Sequence, residues 1–570
     1  MREKKIMDGN MAAAYVSYAY SDICAIYPIT PSSPMAEYID ILSSGGEKNI
    51  YGNVVEVSEM QSEAGAAGAL HGALAAGAIA TTFTSSQGLL LMIPNIYKIA
   101  GERLPAVFNV AARAVSVHAL SIFGDHSDIY ACRQTGAAIF MSSSVCQVSD
   151  LTPVSYMASV EAQIPFLNCF DGFRTSHEIQ KVECYDYEQL KKLIDMKVVQ
   201  AFKNNSLNPE RACMMGSAQN PDVFFQFRET INEDYKKMPA IVKTCINRIN
   251  DLTGKKYGLF DYYGDESAKK VIIAMGSVCE AARIAIDKLA EEGKKMGLVE
   301  VHLYRPFSVT DLIDAIPDTV EKIYVLDRTK EAGSSGEPLY LDVTAALYDS
   351  QFKNVPVFHG RYGLSSKDTS PAQIIAVYEN DTKKEFTIGI RDDVTNLSLD
   401  ISESYSGLAD ENSYTCRFYG LGGDGTVSAN KNAVKIIGKH TDRYVQAYFD
   451  YDSKKSGGLT VSHLRFSDRQ IRSTCLVNKA DFVSCQNQTY LAKYDMISDI
   501  KKGGTFLINC SHDDKWINNS IPFKQRMHIL KNDIKVYAID GLEIGRRTGL
   551  NSKISTILQC AFFKVTGIIP

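Results

Sequence analysis

Up to about residue 265 the chain alternates short, unbroken apolar runs with longer stretches whose apolar positions recur at helical spacing. "CAIYPITP", "AIATTFTSS", "AVFNVAAR", "AAIFMSSS" and "IPFLNCFDG" read as buried strands, each followed by a polar or glycine turn. Repetition of that strand–turn–helix unit predicts a parallel α/β sheet with ligands at the strand ends. A polar passage through "GLFDYYGDESAKK" reads as irregular. The pattern then restarts at Val271 with the strand "VIIAMGS", the helix "VCEAARIAIDKLAEEGKK" and the strands "MGLVEVHLYRPF" and "KIYVLDR". This second unit, 266–380, is followed by a charged connector, 381–410. A third unit, 411–570, opens with strand, glycine loop and helix in "YTCRFYGLGGDGTVSANKNAVKIIGKH". It continues through "YVQAYFDY", "DFVSCQN", "GTFLINC" and "IKVYAID".

One stretch fits neither pattern. In "VVEVSEMQSEAGAAGALHGALAAGAIATTFTSSQG" the residues Glu56, Glu59 and Glu63 precede a run made almost entirely of alanine and glycine. Read as one helix, they share a face. A carboxylate there stands either at the solvated start of a helix or buried and in use. The run from Ala64 to Ala80 reads as a tightly packed internal helix, too weakly apolar to cross a bilayer.

Composition narrows the function classes. The 570 residues allow three or four domains, and 45% hydrophobic with 22% charged residues is ordinary for a globular protein. A net charge of −5 leaves no basic footprint for nucleic acid or a membrane surface. The basic start "MREKKIMDGNMAAAY" is not followed by an apolar signal core, so a cytoplasmic protein is expected. The 13 cysteines form no C-x-x-C pair, which argues against a disulfide framework and against a local iron–sulfur or zinc site.

Four features carry candidate chemistry. Thr30, between Pro28 and Pro31 at a strand end, has a loop that orients its hydroxyl. Arg113 ends "PAVFNVAAR", where it could hold a carboxylate by paired hydrogen bonds; a snorkelling edge arginine would look the same. Glu63 is the most deeply embedded of the three glutamates and could share a proton with a ligand nitrogen. His118, His126 and Asp128 match no standard metal spacing and read as loop and pocket-wall groups. In the third unit, Gly420, Gly422 and Gly425 form G-x-G-x-x-G between strand and helix, with Asp450 at the distance of a ribose-binding acid. Asp424 and Thr426 crowd the place of a pyrophosphate, and the lysines of "DYDSKKSGGLT" suit a more heavily phosphorylated nucleotide. NAD, coenzyme A and an ordinary strand-to-helix turn all remain open there.

These residues sit in long motifs: "AIYPITPSSPMAE", "SEAGAAGALHGALAAGA", "TTFTSSQGLLLMIPNIYKIAGE", "HALSIFGDHSD", "NCFDGFRTSHEI", "GSAQNPDVFFQFRE", "LDRTKEAGSSGEPLYLDV", "GLGGDGTVSANK" and "DSKKSGGLTVSHLRF". On them the chain resembles the N-terminal half of the pyruvate:ferredoxin (flavodoxin) oxidoreductase family. The resemblance implies three α/β domains. They are a pyrimidine-binding thiamine diphosphate-type domain (1–265), a transketolase C-terminal-like domain (266–380) and, after the linker, a coenzyme A-binding domain (411–570) incomplete at its C-terminus. It implies that Glu63 hydrogen-bonds the aminopyrimidine of thiamine diphosphate, and that Thr30 and Arg113 hold pyruvate. It also implies that Gly423, Asp424, Gly425, Thr426, Val427, Lys455 and Ser555 contact coenzyme A. Ser555 stands where the family usually carries asparagine, and Met11 where it carries a small or polar residue.

The implied reaction converts pyruvate and coenzyme A to acetyl-CoA and CO2, with electrons passed to ferredoxin or flavodoxin. The implied assembly is a homodimer. Magnesium and [4Fe–4S] clusters would belong to domains absent from this chain, fused or separate, so the chain alone is expected to be inactive. A related oxidoreductase for another 2-oxoacid, or a non-catalytic coenzyme A-binding or assembly protein, are the alternatives.

Overall fold

The computed structural model describes residues 2–212, 214–392, 394–451, 457–551 and 553–569. It forms two compact units, Met1–His177 with Val182–Ile401, and Glu178–Lys181 with Ser402–Pro570. The architecture is mixed α/β built on parallel sheets.

In the first unit one sheet runs Leu303–Arg305, Ala138–Ser142, Phe166–Asp171, Ala106–Ala112, Ala80–Thr84, Ile23–Ile26 and Glu56–Glu59. All are parallel except Leu303–Arg305, which pairs antiparallel at the edge. The inner strands Ala80–Thr84, Ala106–Ala112, Ala138–Ser142 and Phe166–Asp171 are buried at every residue. That is why they appear in the sequence as continuous apolar runs rather than alternating ones. The second sheet runs Glu385–Thr387, Val357–Arg361, Lys322–Asp327, Lys270–Ala274, Met296–Val301 and Phe260–Gly264. Phe260–Gly264, inside the passage expected to be irregular, is an antiparallel edge strand of this sheet. One hydrophobic core joins both sheets, with Val107 and Phe166 of the first and Val271 and Ile323 of the second.

A buried charge network adds to that core. His302 donates from Nδ1 to the Met141 carbonyl at 2.9 Å and from Nε2 to Asp261 at 3.0 Å. Its neighbour Glu300 accepts from Gln147 at 3.0 Å and from Arg283 at 2.7 Å. Burial alone would lower the imidazolium pKa, but the Glu300 and Asp261 carboxylates outweigh it and push it up to about 9.

The second unit's strands run Tyr444–Tyr451, Leu459–Ser467, Tyr414–Leu421, Ala480–Cys485, Ile500–Asn509 and Lys535–Ile539. Leu459–Ser467 is antiparallel to both neighbours, and the last four strands after it are mutually parallel. Phe562 of the helix Ser555–Thr566 packs edge-on against Phe418 and Phe482 and so fixes that helix over the sheet. The passage 381–410 divides between the units: from Ser402 it belongs to the second, where buried Asp410 holds Arg465 at 2.9 Å.

Candidate active site at the strand ends

From Ile23–Ile26 the chain moves outward to the edge strand Glu56–Glu59, then returns to the other side as Ala80–Thr84 and continues away. The sheet's topological switch point therefore lies beyond the carboxyl ends of Ile23–Ile26 and Ala80–Thr84, where open α/β sheets leave a crevice for ligands. Thr30, Glu63 and Arg113 all follow strands that end on this edge.

Glu56 and Glu59 do not share a helical face with Glu63. They lie exposed on the strand Glu56–Glu59, and the helix Glu63–Ala75 starts only after Ser62, whose side chain accepts from the Gly65 amide at 3.1 Å. Glu63 is the first helical residue and is buried, 7% exposed. Its carboxylate has no hydrogen-bond or ion-pair partner among the described residues. It leans on Gly88 in the first turn of the helix Ser86–Gly101. A Cβ on Gly88 would stand 2.9 Å from Glu63 Oε1, 2.8 Å from its Cγ and 2.7 Å from Thr84 Oγ1, so only glycine leaves the carboxylate its seat. The Thr84 hydroxyl is itself buried and has no hydrogen-bond partner among the described residues. The helix beyond Glu63 is not the wholly internal one expected. Ala66, Ala67, Leu70 and Leu74 are buried, but Ala64, Gly68 and Gly72 are exposed, and Cβ atoms on the two glycines would meet open space.

Arg113 is 7% exposed and directs its guanidinium to two carbonyls, Thr30 at 2.8 Å and Ser121 at 3.3 Å. It forms no ion pair among the described residues. Burial lowers its pKa, partly opposed by the Asp128 charge. Thr30 meets Arg113 through its carbonyl, and its side chain lies in an exposed loop that Asn10 secures by donating to the Pro31 carbonyl at 2.9 Å. A buried cation with only neutral acceptors lacks the charge compensation such groups normally find. A guanidinium in that state can take a carboxylate in a forked pair.

His118 is exposed and takes no part, whereas His126 and Asp128 are fully buried structural clamps rather than pocket-wall groups. His126 bonds Asp171 at 2.6 Å, and Asp171 also meets Arg328 at 3.0 Å. Although burial opposes ionisation, these two neighbours hold the Asp171 carboxyl well below the usual range. Asp128 Oδ2 accepts from the amides of Ser86 at 2.7 Å and Arg113 at 2.9 Å. Burial pushes its carboxyl up to about 7, against hydrogen bonds from Arg113, Ser86 and Ile129 that favour the charged form. Sequence reasoning missed this clamp because its partners lie 42 and 15 residues away and are main-chain groups.

In the second unit the glycine loop joins Tyr414–Leu421 to the helix Thr426–His440, with Gly423 at φ +93° and Gly425 at φ +86°. Asp424 closes the loop on itself, accepting from the amides of Leu421 at 2.7 Å and Thr426 at 2.8 Å. The amides a dinucleotide fingerprint would offer to pyrophosphate are therefore partly satisfied from within. A cavity of about 300 Å³ opens at the carboxyl ends of the four parallel strands, lined by Leu421, Asp424, Thr426, Asn509, Asp540 and Ser555 among others. Ser555 comes against Gly425, whose Cβ would lie 3.1 Å from its Oγ, so these two expected contacts converge. Val427 is in the first helical turn, and Lys455 lies outside the described residues. Asn509 and Asp540, at the ends of later strands, were not anticipated.

Of the twelve described cysteines ten are buried and none is in a disulfide. No helix among the described residues is long and apolar enough to cross a membrane.

Known proteins match the chain along its whole length. The family described as pyruvate flavodoxin/ferredoxin oxidoreductase, thiamine diphosphate-binding, matches residues 15–246. Core domain II of pyruvate:ferredoxin oxidoreductase matches 268–374, and the pyruvate ferredoxin/flavodoxin oxidoreductase family matches 415–570. Pyruvate-flavodoxin oxidoreductase of Enterobacter agglomerans is 52% identical over 99% of this chain and 48% of its own length. Pyruvate:ferredoxin oxidoreductase of Moorella thermoacetica is 51% identical over 100% and 49%. Pyruvate dehydrogenase [NADP(+)] of Cryptosporidium parvum is 46% identical over 100% and 30%. The chain thus spans about half the length, or less, of these relatives. With three family descriptions falling in order along it and close relatives matching it throughout, the chain belongs to the pyruvate:ferredoxin/flavodoxin oxidoreductase family.

Proposed function

We propose that this chain supplies the pyrimidine side of a thiamine diphosphate site, the 2-oxoacid-binding arginine and part of a coenzyme A site. The whole enzyme would convert pyruvate and coenzyme A to acetyl-CoA and CO2. The observation that carries the reading is a pair of buried charges, Glu63 and Arg113, on the ligand-bearing edge of one sheet, each without an ionic partner among the described residues. Two uncompensated charges are expensive to bury unless ligands complete them.

The residues fit the cofactor. Glu63 would hold a proton between its carboxylate and a ring nitrogen of the aminopyrimidine, and the Gly88 backbone leaves room for it. Bound thiamine diphosphate supplies the electron sink that loss of CO2 from a 2-oxoacid requires. Arg113 would take the substrate carboxylate, with Thr30 beside it. In the second unit Gly423, Asp424, Gly425, Thr426, Val427 and Ser555, with Lys455, would form the coenzyme A contacts. The family matches favour the partition into 1–265, 266–380, a linker and 411–570.

Magnesium and [4Fe–4S] clusters would be held by residues beyond this set. Among the described residues the one group of three close ligating side chains, Asp261, Glu300 and His302, is already engaged by Arg283, Gln147 and the Met141 carbonyl. Ferredoxin or flavodoxin would accept the electrons. Relatives named for flavodoxin, ferredoxin and NADP(+) all match this chain over 99–100% of its length at 46–52% identity, which favours acceptor choice being made elsewhere. A cytoplasmic homodimer completes the proposal.

Replacing Glu63 by Gln in the complete enzyme tests it. Acetyl-CoA formation from pyruvate should fall about 10²–10⁴-fold, the range for a positioned acid–base group, with an unchanged melting temperature. Near-normal turnover would reject the role of Glu63. A wild-type enzyme that turns over 2-oxoglutarate better than pyruvate would reject the substrate.

A further inference from the structure

We infer that Asp128 is the positioning residue that holds the substrate arginine and the cofactor carboxylate in one register; this rests on the roles proposed for Arg113 and Glu63. A single oxygen, Asp128 Oδ2, accepts the amide of Arg113 at 2.9 Å and the amide of Ser86 at 2.7 Å, while Oδ1 accepts the Ile129 amide at 2.8 Å. With both oxygens engaged and the residue fully buried, Asp128 acts through its neighbours rather than on a ligand.

Ser86 is where the clamp matters. It adopts φ +53°, a left-handed conformation that L side chains avoid, at the first position of the helix Ser86–Gly101. A residue held there persists only when its surroundings over-determine it. Here the straps are the Asp128 oxygen and the Ser86 hydroxyl, which donates to the Ala114 carbonyl at 2.6 Å. Both tie the turn to the segment that carries Arg113. Two residues further on, Gly88 forms the seat of the Glu63 carboxylate. Loss of the clamp therefore moves two functional groups by separate routes, the Arg113 strand end directly and Glu63 through the turn. The clamp is itself anchored, because Ser127 accepts the Val115 amide at 2.9 Å.

The test is Asp128→Asn in the enzyme expressed from its full gene, read by pyruvate kinetics and by hydrogen exchange. The expected result is a rise in the KM for pyruvate and a fall in kcat, each about tenfold or more, since small misplacements of positioned groups have effects of this size. Amide protection should be lost selectively in peptides containing Ser86 and Arg113. Adding Ser86→Gly should restore kcat to within about threefold, because glycine adopts φ above zero freely, and should leave the KM raised. A merely structural role would lower stability without separating the two constants in this way. Should Asp128→Asn not accumulate as folded protein, Asp128→Glu, which keeps the charge and displaces the oxygen, must give the same pattern.

Kinetic constants within about twofold of wild type, unchanged protection at both amides, or a Ser86→Gly addition that restores neither or both constants would overturn the inference. If the wild-type enzyme does not use pyruvate, the proposed function fails on its own, and the exchange measurement still decides whether Asp128 holds both amides.

Discussion

Gly88→Ala probes the site without removing or replacing a charged or hydrogen-bonding group. The added methyl would stand 2.9 Å from Glu63 Oε1 and 2.8 Å from its Cγ. To recover an ordinary contact of about 3.4 Å, the carboxylate must retreat by about 0.5 Å, or the helix start must shift by as much. Two stability effects nearly cancel: overpacking costs about 1–3 kcal/mol, whereas alanine is favoured over glycine inside a helix by about 1 kcal/mol. The net change is about 0–2 kcal/mol of destabilisation, a shift of a few degrees at most in melting temperature for a unit of this size. Function responds differently, because a displacement of this order at a positioned group lowers rate by about 10–100-fold. The assay pairs thermal unfolding with acetyl-CoA formation over a range of thiamine diphosphate concentrations. The expected outcome is a modest change in melting temperature with turnover down at least about tenfold at saturating cofactor. Turnover within about twofold of wild type would refute the claim that Gly88 seats the Glu63 carboxylate.

Arg113→Lys keeps the charge but loses the planar fork, so the KM for pyruvate should rise about 10–100-fold with a melting temperature near wild type; steady-state kinetics decides this. Gly425→Ala places a methyl about 3.1 Å from Ser555 Oγ at φ +86°, and should raise the KM for coenzyme A about tenfold while leaving that for pyruvate unchanged. His302 tests the buried network by pH. Its folded-state pKa is raised to about 9 from an ordinary 6.5, so its contribution is complete below pH 6.5 and is lost as pH rises through 9. Chemical denaturation should show the first unit losing on the order of 3 kcal/mol across that window, and His302→Asn should lower stability at pH 7 and flatten the slope.

How much of this was readable in advance depended on what each residue leans on. The inner strands of the first sheet announced themselves because both faces are covered, which forces runs such as "AVFNVAA". The edge strand Glu56–Glu59 did not: four residues, two of them exposed glutamates, with one strand neighbour, leave no apolar signature and invite a helical reading. Phe260–Gly264 escaped for a similar reason, as a tyrosine-rich antiparallel edge between polar turns. The burial of Glu63 was legible because a carboxylate beside so many small apolar residues needs explaining. The contribution of the Thr30 carbonyl was not, since side-chain chemistry says nothing about which carbonyl an arginine will find. The role of Asp128, read as a pocket-wall group, was hidden for the same reason, since it works on two backbone amides distant in sequence. The exposure of "DVFFQF" has no signature in its letters: Phe224, Phe225 and Phe227 are 56%, 68% and 59% exposed on the helix Pro221–Glu229.

The most direct measurement is an experimental structure of the complete enzyme with thiamine diphosphate and pyruvate. The expected result is the Glu63 carboxylate within hydrogen-bond reach, about 2.6–3.2 Å, of a pyrimidine ring nitrogen, with the Arg113 guanidinium on the pyruvate carboxylate. A Glu63 side chain turned to bulk solvent, or an Arg113 paired with a carboxylate of the protein while pyruvate binds elsewhere, would contradict it.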